Sequence, residues 1–135
     1  MGSRSLKRHL EKANICFLHA PNFHPAMKAV GPTRKELKLK TFFNILGPLL
    51  NPMAPKKCLI GVYRRDLIGK IASILQAKGV AHAMVVHSDD GLDEISISSV
   101  THVAEIKNGI IEEYDINPQD LGLSKAEICD IKGGD

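Results

Sequence analysis

The segment richest in chemistry is MVVHSDDGLDEIS, Met84 to Ser96. An apolar run ends there at His87, and four acids follow within six residues: Asp89, Asp90, Asp93 and Glu94. Carboxylates this close repel one another at neutral pH, and a divalent cation relieves that repulsion. Mg²⁺ takes oxygen ligands, keeps several waters, and combines one or two carboxylates with substrate phosphates. Gly91 permits a tight turn that would aim Asp93 and Glu94 into one site. A solvated acidic loop is the plainer reading of the same residues, and spacing alone leaves both open.

A second constellation pairs His24, in FHPAMK, with Arg34, in GPTRKEL. The Arg34 guanidinium can hold a planar carboxylate with two parallel hydrogen bonds, which a lysine ammonium does less well. His24 would face the same ligand. The alternatives are a surface arginine and a histidine packed or capping at a helix start. His9, His19, His82, His87 and His102 show no companion pattern and are assigned no role; His87 alone adjoins the acidic turn. Met27, Met53 and Met84 read as core fillers.

Strand-like and helix-like segments alternate around these residues. Ile15 to Pro21 is a short apolar run ended by proline, a strand candidate. His24 to Pro52 mixes helical pieces broken at Gly31-Pro32 and Gly47-Pro48. Lys56 to Tyr63 predicts a buried strand. Arg65 to Gly79 predicts an amphipathic helix, with Leu67, Ile68, Ile71, Ile74 and Leu75 at helical spacing and Gly79 as its stop. Ala81 to Ser88 predicts the next strand, parallel to the last. Glu94 to Ile116 alternates polar and apolar residues around Asn108-Gly109, a strong hairpin signal. The pattern predicts an α/β fold: a mixed, mostly parallel sheet flanked by helices, with an antiparallel hairpin at one edge. In such sheets ligands sit beyond the carboxyl ends of strands. HSDDGLDE occupies that place.

Bulk properties narrow the function classes. The 135 residues make one domain's worth, long enough to bury a core without disulfides or metal staples. Hydrophobic content of 44% and charged content of 24% are ordinary for a globular protein. The net charge is +3 and the basic residues are scattered, which argues against a nucleic-acid partner. No run of about 18 apolar residues predicts a membrane span, and the N-terminus lacks a signal-peptide core. Cys16, Cys58 and Cys129 are odd in number and far apart, as expected of free thiols in the cytoplasm. No C-x-x-C pair suggests a zinc site.

Taken together, APNFHPAMK, GPTRKELKLKTFFNILGPLLNP and VVHSDDGLDEIS resemble the anthranilate phosphoribosyltransferase family, from about Asn14 to Leu123. The resemblance implies transfer of phosphoribose from 5-phosphoribosyl pyrophosphate to anthranilate, with release of pyrophosphate, in tryptophan biosynthesis. It also implies Mg²⁺ as cofactor and a partial nucleoside phosphorylase/phosphoribosyltransferase-type domain. Arg34 matches an arginine that contacts anthranilate, and His24 a histidine lining the same channel. Asp93 and Glu94 match the acidic pair that binds Mg²⁺. No covalent nucleophile is implied.

Departures from the family pattern carry their own expectations. Glycine-rich loops of the GTGGD and KHGN kinds are absent from the sequence, and KGGD at Lys132 to Asp135 does not replace them. Leu50 stands where the family usually has a threonine, and Lys38 and Lys40 are unusual. The resemblance therefore predicts a fragment: one partial α/β domain over residues 1–135, inactive alone, with the 38–52 segment belonging to a helical domain. Phe42, Phe43, Ile45, Leu46, Leu49 and Leu50 are expected to bury themselves in a homo-oligomer contact. The alternative is a non-catalytic nucleic-acid-binding or assembly relative of the same fold. The retained Arg34, His24, Asp93 and Glu94 argue against it.

Overall fold

A computed structural model describes residues 3–17, 45, 47, 49–51 and 53–131. Its contacts divide the chain into two compact units, Met1–Pro52 and Met53–Asp135.

In the first unit, helix α1 spans Ser3–Ala13, a segment to which the sequence reading gives no element. Its apolar content is thin, with Leu6 and Leu10 one turn apart and only Leu6 buried. Lys7 and Glu11 pair across one turn at 3.8 Å. Asn14 ends the helix in the left-handed region (φ 55°), its amide donating to the Leu10 carbonyl; asparagine tolerates that conformation better than most residues. Ile15, Cys16 and Phe17 are irregular. That part of the expected strand does not form; the remainder of Ile15 to Pro21 lies outside the described residues. Ile45, Gly47 and Leu49 are helical, with Ile45 and Leu49 buried.

The second unit, among the described residues, is a four-stranded sheet with one ten-residue helix against it, followed by short helical turns at Pro118–Leu121 and Ile128–Ile131. Strands β1 (Lys57–Gly61), β2 (His82–Ser88), β3 (Thr101–Lys107) and β4 (Ile110–Ile116) lie side by side in that order. β1 and β2 run parallel; β2–β3 and β3–β4 are antiparallel. The mixed α/β class follows, and the parallel part among the described residues is the β1–β2 pair. A 3₁₀ turn at Arg65–Leu67 leads into α2, Ile68–Ala77, the crossover between the parallel strands. Ile68, Ile71, Ala72 and Leu75 are its buried residues, whereas Ile74 points outward. α2 lies over β2 and β3, and the core forms with Ile60, Ala83, Val85, Ala104 and Ile106. Gly79 (φ 72°) stops the helix, donating to the Gln76 carbonyl.

Asn108 (φ 52°) and Gly109 (φ 78°) join β3 to β4 as a two-residue turn, the arrangement whose twist matches paired strands. The Gln76 amide of α2 donates to the Gly109 carbonyl at 2.7 Å, tying helix end to hairpin tip. Residues 94–100, expected to continue the strand alternation, form an irregular loop instead. Met53, expected to fill the core, is 57% exposed. The three cysteines are free thiols. No helix among the described residues is long and apolar enough to cross a membrane.

Candidate functional site

The acidic loop leaves the carboxyl end of β2, beside that of β1, and returns as β3. The Ser88 to Gly91 turn is closed by the Gly91 amide donating to the Ser88 carbonyl at 2.9 Å, with Gly91 at φ 85°. The Ser88 amide donates to Leu92, and the Asp89 amide to Val100, each at 3.0 Å. The loop then folds back across the sheet, and the Ser96 amide donates to the Thr101 hydroxyl at 2.9 Å. Ser88 and Thr101 are completely buried beneath it.

β1 contributes a missing side chain. A Cβ added at Gly61 would fall 1.7 Å from the Asp93 carbonyl oxygen. Backbone cannot yield that much, so glycine is required where the Asp93 main chain crosses β1. The β1–β2 ladder continues one step beyond Gly61, with the Val62 amide donating to Val86 at 2.9 Å. His87 Nδ1 donates to the Val62 carbonyl at 2.8 Å.

The four acids have different fates. Asp90 sits in a ring of donors: the Ser88 hydroxyl (2.6 Å) and Leu92 amide (3.1 Å) reach Oδ1, and the Ser96 hydroxyl (2.5 Å) and that of Ser98 reach Oδ2. Burial pushes this carboxyl up, but the four donors prevail and hold it well below the usual carboxylate range. Asp89 is half-exposed and accepts from His102 Nε2 at 2.7 Å; Asp115 of β4 accepts from His102 Nδ1 at 2.6 Å. Both ring nitrogens of His102 face a carboxylate acceptor, an arrangement that favours the charged imidazolium. Its burial opposes the charge, and the two aspartates outweigh it, so its pKa is raised. Arg65 opposes the charge weakly from the turn ahead of α2. It lines, with His102, Glu113 and Asp115, a cleft of about 320 Å³.

Asp93 and Glu94 remain. Both are exposed, and neither forms a hydrogen bond or ion pair among the described residues. No group of three or more His, Cys, Asp or Glu among the described residues is arranged to hold a metal. Asp93 and Glu94, adjacent in sequence and exposed, are oxygen donors of the kind taken by Mg²⁺, which fills its remaining positions with water and a ligand's phosphate. The residues fit that ion. Arg34 and His24 lie outside the described residues.

Two contributors escaped the sequence reading. His102 gave no signal because its partners arrive from a loop and from β4, and only the β2–β3–β4 register aligns His87, His102 and Asp115. Gly61 looked like any glycine in an apolar run.

Comparisons with known proteins agree along the chain. Residues 1–135 match the family model described as the a/b domain of the glycosyl transferase family. An anthranilate phosphoribosyltransferase from Shewanella frigidimarina is 47% identical over 93% of this chain and 36% of its own length. That of Shewanella putrefaciens is 46% identical over the whole chain and 38% of its own. The chain thus spans less than two-fifths of these curated relatives. Among solved structures, the Saccharomyces cerevisiae anthranilate phosphoribosyltransferase with 4-fluoroanthranilate superposes with a TM-score of 0.82 at 30% identity, covering 96% of this chain and 37% of that one. The same yeast protein with PRPP and Mg covers 96% and 36%, also at 30% identity.

Proposed function

Because the chain belongs to the glycosyl transferase family through its a/b domain, we propose that it is part of an anthranilate phosphoribosyltransferase. That enzyme transfers phosphoribose from 5-phosphoribosyl pyrophosphate to anthranilate in tryptophan biosynthesis. The observation that carries the proposal is the loop at the β2 exit, where Asp93 and Glu94 stand exposed and without a partner among the described residues.

In this reading Asp93 and Glu94 hold Mg²⁺. Bound there, Mg²⁺ supplies charge neutralisation for a departing diphosphate. Arg34 grips the anthranilate carboxylate and positions the amine for attack at the anomeric carbon, a contribution of orientation rather than bond-making. His24 lines the same side. No covalent intermediate on the protein is needed. The sequence lacks the glycine-rich loops whose amides bind phosphate in such enzymes, so the 135 residues alone are proposed to be inactive. A homo-oligomer contact through residues 38–52, and a cytoplasmic location, belong to the same reading. Leu50, half-exposed, supports the contact; Ile45 and Leu49 are already buried within the chain.

The test is a binding titration of the intact chain. Mg²⁺ with inorganic pyrophosphate should bind the wild type, and the Asp93→Asn, Glu94→Gln pair should weaken it at least tenfold. Arg34→Ala should weaken anthranilate binding by a similar factor while leaving pyrophosphate untouched. Unchanged binding in both variants overturns the proposal.

A further inference from the structure

We propose that Asp90 is the positioning residue of the metal loop: its carboxylate fixes both flanks of the Asp93–Glu94 pair and does not itself meet the cation. The proposal rests on the reading that Asp93 and Glu94 hold the metal.

The hydrogen-bond inventory carries the argument. An ionised carboxylate offers about four acceptor sites, and Asp90 has four donors. Oδ1 takes the Ser88 hydroxyl, at the end of β2, and the Leu92 amide, one residue before Asp93. Oδ2 takes the hydroxyls of Ser96 and Ser98, two and four residues after Glu94. No acceptor site is left for an ion, so the acid that looks most central to the cluster is unavailable as a ligand. The same four bonds tie the strand end, the turn and the returning segment to one point. Between the Leu92 and Ser96 anchors lie Asp93, Glu94 and Ile95, which are free of the ring.

The ring is itself braced. The hydroxyls of Ser96 and Ser98 lie 3.0 Å apart, the Ser98 amide donates to the Ser96 hydroxyl at 2.9 Å, and the Asp90 amide donates to the Ser99 hydroxyl at 3.1 Å. On the far side the Asp93 main chain rests over Gly61. Two carboxylates on an exposed loop bind a cation well only if their placement is settled beforehand. Removing groups that orient metal ligands typically costs ten- to hundredfold in metal affinity.

The experiment is a Mn²⁺ titration of the isotope-labelled 135-residue chain, with Mn²⁺ standing in for Mg²⁺. The readout is paramagnetic broadening of the amide resonances of Leu92 to Ile95. Asp90→Asn, which sets an amide donor against hydroxyl donors, should raise the midpoint about ten- to hundredfold. The β3–β4 resonances should stay in place. Ser96→Ala and Ser98→Ala should each give a smaller rise, and they carry the test if Asp90→Asn does not fold. A wild-type midpoint in the folded variants overturns the proposal. So does tighter binding in the serine variants, which would mean that freed acceptor sites on Asp90 ligate the ion. The Asp93→Asn, Glu94→Gln pair separates the two claims. Broadening that survives in it sinks the metal-site reading, whereas broadening lost there but unchanged in Asp90→Asn sinks only the positioning role.

Discussion

At the scale of single residues, the loop assigns four similar acids to three jobs, and geometry separates them. Asp90 is consumed by hydrogen bonds, Asp89 is spoken for by His102, and Asp93 with Glu94 is left to the solvent. The His102 brace yields a pH prediction. Its pKa is raised in the folded chain, so its contribution is fully present below the ordinary histidine value of about 6.5. It is lost as pH rises through the raised value. Unfolding by denaturant should therefore show wild-type stability declining above about pH 6.5, and His102→Gln should lack that decline. A parallel decline in both proteins would dismiss the brace. In the sequence the acidic cluster was legible as a cluster, but its division of labour was not. Ser96 and Ser98 look like outward positions of an alternating strand; their hydroxyls are turned onto Asp90 instead.

At the scale of elements, what could be read was local. Asn108-Gly109 announced its hairpin because both positions need positive φ, a property of the two residues alone. The α2 segment announced itself by apolar spacing and its glycine stop. α1 did not, since two leucines in eleven residues give little periodicity. The β2–β3 connection was misread because alternation there serves a half-buried carboxylate rather than a ladder. The hairpin permits a direct check. Gly109→Ala should cost about 1–2 kcal/mol in equilibrium unfolding, because a Cβ penalises the left-handed region. Asn108→Gly should change little. Equal losses in both would show that the turn is held by Gln76 from outside rather than by its own backbone.

At the scale of the whole molecule, the boundary at Pro52 and Met53 separates the sheet unit from the segment proposed to mediate self-association. Met53–Asp135 expressed by itself should keep its sheet, seen as dispersed amide resonances and a cooperative melt, and should be monomeric by light scattering. The 135-residue chain should run as a larger species. A monomeric intact chain would remove the 38–52 contact. The serine ring has one more consequence. Hydroxyls stabilise a carboxylate without neutralising it, and no cationic side chain pairs with Asp90, Asp93 or Glu94 among the described residues. A chain of formal charge +3 thus keeps a pocket of negative potential at one strand exit. Added electrolyte screens that potential but leaves uncharged donors alone, so ionic strength sets how strongly the loop attracts a cation and leaves the Asp90 ring in place.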